Sequence, residues 1–321
     1  MPKVLVTGGA GFIGSHIVAR FAGAGTSVVV LDDLSTGRAE HVPHGVRLHV
    51  LDVGSDAAAE LIAEGSFDVI VHLAAQMDVR KSVTDPRHDA TVNVLGTINV
   101  LEAVRRSQNA RLPRVVFAST GGALYGETPV LPTPESAPAQ PDAPYGIAKL
   151  SAEHYLGYYS RVWSIPTIAL RLGNVYGPRQ NPHGEAGVVA IFGQRMVSGE
   201  PVTVYGAGTQ TRDYTFVADV ADAFHAAAHS PLPANVRLGG RAYNVGTGVG
   251  TSVLSLAKLI GDAAGTAPNI IHAPSRPGEI ERSQLDARKA GQDLGWKPRV
   301  PLTEGLARTV GWIRETRTAG A

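Results

Sequence analysis

The sequence predicts an α/β protein, a doubly wound parallel sheet followed by a smaller C-terminal α/β region. Three observations carry this. Apolar runs of strand length alternate with helix-period segments through the first half of the chain. The first run ends in a glycine-rich turn, Gly8-Gly9-Ala10-Gly11, that opens a helix. Beyond residue 172 the elements become shorter and less regular.

Val4-Leu5-Val6 is enough to begin a buried parallel strand. Gly9, Gly11 and Gly14 then satisfy G-x-G-x-x-G between strand and helix. Without Cβ atoms the turn can be tight, a pyrophosphate can approach the backbone, and the helix can pack close to its strand. Free N–H groups at the helix start point at the anion. The second strand, Val28-Val29-Val30-Leu31, runs into Asp32, 18 residues past Gly14. A carboxylate there accepts from both ribose hydroxyls of an adenosine and repels a 2′-phosphate, which favours NAD over NADP. A glycine turn plus a capping aspartate would explain each feature but not their spacing. Cofactor contacts are therefore expected at Gly8, Gly11, Phe12, Ile13 and Gly14, and at Asp32 with its neighbour Asp33.

A third strand over 47–51 ends at Asp52. Asp52 and Val53 lie where a loop borders an adenine, although a solvated loop aspartate fits the spacing equally well. A short helix follows over 57–64, then a fourth strand over 69–75. Its end, Leu73, Ala74, Ala75 and Gln76, leaves room for a cofactor. The helical spacing over 89–106 contains Asn93, also placed on the cofactor, and a fifth strand covers 114–119. Ligands of a doubly wound sheet collect at the carboxyl ends of its strands, here Gly8, Asp32, Asp52, Ala74 and Ser119. Residues 126–144 read as a loop, and Pro144 suits the first turn of a helix running from Tyr145 to about residue 163. A sixth strand over 167–171 closes the first domain, residues 1–172. The second region, 173–321, opens with a loop over 173–187 and carries helices over 217–229, 252–263 and 302–316. It is expected to cover the cofactor and hold a substrate.

Bulk properties exclude several classes. With 29 basic against 28 acidic residues the formal net charge is only +1, too little to favour nucleic acid or a membrane surface. The absence of cysteine removes disulfides and thiol nucleophiles and suits a reducing cytoplasm. Met1-Pro2-Lys3 leads straight into a strand rather than a signal peptide. No apolar run approaches the roughly 20 residues of a membrane span. His41, His44 and His49 cluster without a carboxylate at ligand spacing, so no metal is expected. His72 reads as a core residue at a strand end.

Tyr145 and Lys149 carry the chemistry. On a helix, positions i and i+4 share a face. An ammonium one turn along, together with a positive nicotinamide ring, favours the phenolate. The tyrosine can then take a proton from an alcohol while hydride leaves to NAD. Alone, such a pair is more often a surface pair. Here it follows a dinucleotide turn and a strand ending in Ser119-Thr120.

Five motifs together resemble the extended short-chain dehydrogenase/reductase family. They are Thr7-Gly-Gly-Ala-Gly-Phe-Ile-Gly14, His72-Leu-Ala-Ala75, Ser119-Thr-Gly-Gly-Ala-Leu-Tyr-Gly126, Tyr145-x-x-x-Lys149 and Arg171-Leu-Gly-Asn-Val-Tyr-Gly-Pro178. Within that family the chain is similar to the UDP-glucose 4-epimerases over almost its whole length. The resemblance implies a doubly wound parallel Rossmann sheet with a smaller C-terminal α/β substrate-binding domain, bound NAD, a UDP-hexose substrate and a homodimer paired through the helices over 89–106 and 145–163. It implies C4 oxidation to a 4-keto sugar that turns over and is reduced on its other face. It places Asn174, Arg212 and Arg276 on the diphosphate, Val188 and Val189 on the uracil through their backbone, Tyr205 beside that base and Glu279 on the uridine ribose. One position departs from the pattern. Where many members carry a Ser or Thr four residues before the Tyr-Gly pair, this chain has Gly121. Thr120 or Ser119 is expected to supply the hydroxyl. Ser283 aligns beside the sugar 2-substituent, where a tyrosine is associated with rejecting N-acetyl sugars. Its small side chain extends the expected substrates to UDP-GlcNAc and UDP-GalNAc.

Other readings use the same scaffold. A 4,6-dehydratase needs an acid and a base after the hydroxyl residue, where this chain has Gly121 and Gly122. UDP-glucuronate epimerisation or decarboxylation needs a partner for the C6 carboxylate, and no such group is identifiable. A net dehydrogenase would exchange its NAD. A non-catalytic NAD-binding regulator would have no use for both Tyr145 and Lys149.

Overall fold

The computed structural model describes residues 2–182, 187–232, 241–276 and 280–318. The chain begins β1 (Lys3–Thr7), α1 (Phe12–Gly23), β2 (Ser27–Asp32), β3 (Arg47–Val50), α2 (Asp56–Glu64) and β4 (Val69–His72). Next come α3 (Val79–Thr84), α4 (Pro86–Ala90), α5 (Gly96–Arg105), β5 (Arg114–Thr120), α6 (Pro144–Trp163) and β6 (Thr167–Leu172). The second half holds β7 (Asn174–Tyr176), α7 (Val188–Val197), β8 (Val202–Tyr205), β9 (Thr211–Phe216), α8 (Val217–His229) and β10 (Ala242–Val245). It ends with β11 (Gly250–Ser252), α9 (Val253–Ala264), β12 (Ile270–Ala273), α10 (Arg288–Leu294) and α11 (Leu302–Thr318).

Seven parallel strands form the large sheet in the order β10-β6-β5-β4-β1-β2-β3. Their apolar residues alternate between two cores. Val4, Val6, Val28, Val30, Val69, Val71 and Val116 face α1 and α8, with Phe21 and Phe224. Leu5, Val29, Leu31, Ile70, Val115 and Phe117 face α2, α5 and α6. Burial on both faces explains why these strands read as continuous apolar runs. The order reverses between β1 and β4, so the switch point opens at Gly8 and Leu73-Ala74.

Two features differ from the sequence expectation. The helix expected over 89–106 is divided: a π-helical turn, Thr91–Leu95, separates α4 from α5 and carries Asn93. The chain beyond residue 172 also returns to the large sheet, since β10 pairs with β6 and α8 covers the α1 face. The remainder builds its own core from α7, α9 and α11 around β8 and β9, with Tyr176, Phe192, Phe216 and Leu256 buried together. Short strands in two small sheets, β11-β9-β7 and β12-β8, carry too few apolar residues to announce themselves in the sequence.

Candidate active site

The glycine turn is tight for stated reasons. Gly8 has φ +69°, and a Cβ there would lie 2.7 Å from the Ala74 nitrogen across the switch point. A Cβ on Gly14 would lie 2.0 Å from the Gly8 carbonyl oxygen, so α1 can approach β1 only without one. Gly11 caps α1, and no side chain accepts from its opening N–H groups. Those donors point out at the carboxyl edge of the sheet, an anion site of the kind a pyrophosphate fills. At the end of β2, Asp32 is buried. Its Oδ2 accepts from Ala10 N at 2.9 Å and its Oδ1 from Leu34 N at 2.9 Å. Burial pushes its carboxyl up, and the two N–H bonds only partly offset this. Asp33 and Asp52 are exposed and close local turns instead: Asp33 accepts from Ser35, and Asp52 from Gly54 N at 2.7 Å. Val53 is buried, and its carbonyl accepts from Asn99.

Around the end of β4 a buried polar chain assembles. Thr97 donates to the Asn93 carbonyl at 2.7 Å. His72 Nε2 must therefore donate to Thr97 (3.1 Å), leaving Nδ1 to accept from Thr7 at 2.8 Å. Burial, with Lys149 nearby, lowers His72 to about 3, so the ring is neutral. Asn93 Nδ2 donates to the Gln76 carbonyl and to Asp89 Oδ1, and Gln76 Nε2 donates to the same oxygen at 2.9 Å. Asn93 Oδ1 and Asp89 Oδ2 are buried without partners. Two orphaned acceptors beside the switch point fit a site that a hydrogen-bonding ligand completes. Asp89 was not anticipated; it sits on the expected helix but nothing local marks it.

Lys149, on α6, is fully inside. Its Nζ donates to the Ala118 carbonyl at 3.0 Å and lies 5.9 Å from the centre of the Tyr145 ring and 4.7 Å from that of Phe117. Burial lowers the ammonium to about 8, against the opposing charges of Asp89 and Glu153. Pro144 occupies the first turn of α6, so Tyr145 projects from its start, half-buried.

The two candidate hydroxyls part company. Ser119 donates to Glu153 Oε1 at 2.6 Å, deep in a network. Among the described residues the hydroxyl of Thr120, the last residue of β5, accepts only from the nearby Ala123 N at 3.2 Å. Gly121 is glycine because Leu285 covers it: a Cβ would meet Leu285 Cδ1 at 2.5 Å. Leu285 is in turn held by Asp213. That buried carboxylate gathers N–H groups of Thr247, Gly248 and Leu285 and the Thr247 hydroxyl. Sequence reasoning missed this clasp because its parts lie far apart in the chain.

On the substrate side, Asn174 begins β7, its Oδ1 3.8 Å from where a Gly122 Cβ would stand. Val188 and Val189 open α7, whose start no side chain caps among the described residues; the Val189 side chain is in the core. The Arg276 guanidinium stacks on Tyr205, 3.8 Å from the ring centre. Arg212 lies on β9, its Nη1 donating to the Thr211 carbonyl at 2.9 Å. Ser283 is buried and donates its N–H to the Thr211 carbonyl at 3.1 Å. Glu279 lies outside the described residues.

A family model described as GDP-mannose 4,6 dehydratase matches residues 5–309. A UDP-glucose 4-epimerase of Mycolicibacterium smegmatis is 44% identical over 320 residues, 97% of this chain and 98% of that protein. The structure of a UDP-glucose 4-epimerase of Thermotoga maritima with UDP-glucose superimposes with a TM-score of 0.92 at 41% identity, covering 98% of this chain and 99% of that one. That of a Thermus thermophilus UDP-glucose 4-epimerase complex with NAD gives 0.89 at 44% identity, over 97% and 99%. Likeness of this extent, over a doubly wound fold with a glycine turn at its switch point, means that the chain belongs to the extended short-chain dehydrogenase/reductase family.

Proposed function

We propose that this chain interconverts UDP-glucose and UDP-galactose as an NAD-dependent 4-epimerase. The observation that carries the reading is the Lys149 ammonium, buried one turn beyond Tyr145 at the carboxyl end of β5. When bound, NAD supplies the hydride acceptor that becomes the hydride donor of the return step. Tyr145 takes the proton of the sugar 4-hydroxyl and later gives it back. The charge of Lys149, kept close by Ala118 and screened from water, favours the phenolate that this requires. Thr120 is assigned the hydroxyl that hydrogen-bonds the reacting oxygen, because Ser119 is committed to Glu153. Asp32 takes the adenosine ribose, and the uncapped start of α1 takes the pyrophosphate. Gln76 and Asn93 line the cofactor. Residues 1–172 thus mainly hold NAD and residues 173–321 mainly the sugar nucleotide.

Asn174, Arg212 and Arg276 are assigned to the diphosphate as charged or amide donors. Val188 and Val189 offer backbone to the uracil, Tyr205 flanks it, and Glu279 takes its ribose. The UDP is gripped while the hexose is free to turn. Dehydration is disfavoured. The positions that would carry its acid and base are Gly121 and Gly122, and Leu285 leaves no room for a side chain at the first. Ser283 leaves volume beside the sugar 2-substituent, so N-acetyl hexoses enter as well.

The enzyme is assigned as a homodimer. Leu95, Ile147, Tyr155, Tyr158, Val162 and Trp163 are large apolar side chains left exposed, all but the first on α6. Clustered exposure of this kind marks an interface; sedimentation at the monomer mass would refute it. No described helix is long and apolar enough to cross a membrane. The balanced charge and lack of cysteine support work in the cytoplasm on a free nucleotide sugar.

A product assay tests the function. Purified protein is given UDP-galactose or UDP-GalNAc without added reductant, and the sugars are resolved by chromatography. The expected result is conversion to the C4 epimers, lost by about 10²-fold or more in Tyr145→Phe. Conversion of neither sugar by the wild type would overturn the reading; rejection of UDP-GalNAc alone would overturn the role of Ser283.

A further inference from the structure

Arg179 belongs to no assignment made so far. It follows Pro178 in the turn after β7 with φ +70°, in the left-handed region that non-glycine residues rarely adopt. The turn is fastened to α1. His16 Nε2 donates to the Pro178 carbonyl at 2.9 Å, and the His16 ring meets Phe12 edge-on with centroids 6.1 Å apart. Phe12 is the first residue of the uncapped helix.

The charge of Arg179 is felt on both sides of the glycine turn. Burial, with the charge of Arg179 adding to it, lowers His16 to about 4. Burial also lowers His41, on the other side of that turn, and the charge of Arg179 lowers it as well. Arg179 Nη1 is nevertheless buried without a hydrogen-bond partner, and no carboxylate pairs with the side chain among the described residues. Arg38, the other cation beside His41, has Glu40 at 3.3 Å. A shielded guanidinium donor with no acceptor is costly unless something completes it. The helix to which this turn is fastened begins with the uncapped N–H groups of an anion site.

We propose that Arg179 is a cofactor-binding residue whose guanidinium takes the pyrophosphate of the dinucleotide, closing the glycine turn from the second region of the chain. The proposal rests on the NAD reading above. The ligand chemistry is a diphosphate, which UDP also offers, so the test must separate the two. A planar donor fork suits either.

Wild type, Arg179→Met and Arg179→Gln are compared by NAD content per chain after gel filtration, and by calorimetric titration with NAD, ADP, adenosine and UDP. Both variants should lose NAD during purification. They should bind NAD and ADP at least about tenfold more weakly, with adenosine and UDP within about twofold of wild type, a tenfold change being about 1.4 kcal/mol. NAD affinity within twofold of wild type in both variants would overturn the proposal. So would weakened UDP binding with NAD unchanged, which would place the guanidinium on the substrate. A wild type that binds neither NAD nor ADP would instead refute the cofactor reading on which the proposal stands.

Discussion

Two buried cations flank the end of β5 and live under opposite conditions. Lys149 has a carbonyl and two aromatic faces but, among the described residues, no carboxylate in hydrogen-bond contact, and burial lowers it to about 8. Arg171, on the neighbouring strand β6, is paired with Glu153 at 2.7 Å and also donates to Tyr125 at 2.8 Å. Burial opposes its charge, but the hydrogen bond and charge of Glu153 outweigh this and hold it firmly protonated. Glu153 lies one turn beyond Lys149 on α6 and also receives Ser119. Tyr125 passes the network to Asn244 on β10 at 2.8 Å. One charge is paired and knits strands together; the other stands beside the Tyr145 ring. Pairing decides which kind of work a buried charge does.

The largest expected effect breaks the Lys149 side. Lys149→Met should cost about 10²–10⁴ in turnover while the protein stays folded. It should also stabilise nucleotide-free protein by about 1–3 kcal/mol, because a cation depressed from its ordinary value is a cost to folding at neutral pH. Paired activity assays and urea melts check both signs; a destabilised variant would show that the ammonium is structural. Arg171→Met should do the reverse. Leaving Glu153 buried and unpaired should cost about 3–5 kcal/mol in the same melts.

A smaller effect sharpens the comparison through a third buried base. His72 stays neutral in the folded protein down to about 3 but protonates near 6.5 when unfolded. The unfolded state therefore binds the extra proton as pH falls through 6.5. The stability that His72 contributes is full above that value and is lost progressively down to about 3. By pH 5 the loss is about 2 kcal/mol. Melts of the wild type and of His72→Asn at pH 7 and pH 5 should show the gap between them narrowing at the lower pH.

What could be read early was local. The glycine turn, Asp32 one strand later and the Tyr145–Lys149 pair lie within a few elements at fixed spacings, and spacing is visible in a chain. Ser119 and Thr120 were equivalent in sequence because both end one strand; only the position of Glu153 across the sheet separates them. Gly121 read as a missing hydroxyl, whereas its cause is Leu285, brought over it by Asp213. The π-helical turn at Asn93 was hidden because its apolar spacing continues that of the helices on either side.

The amino-acid sequence by itself determined the parallel sheet, the glycine turn and the helix that carries Tyr145 and Lys149, because periodicity and glycine placement act within a few residues. Tertiary structure alone decided which buried charges are neutralised, which hydroxyl remains available and which distant arginine stands beside the glycine turn. Those outcomes depend on side chains more than a hundred residues apart in some cases, as with Tyr125 and Asn244. Electrostatic and packing contacts of that range leave no periodic trace in the chain that makes them.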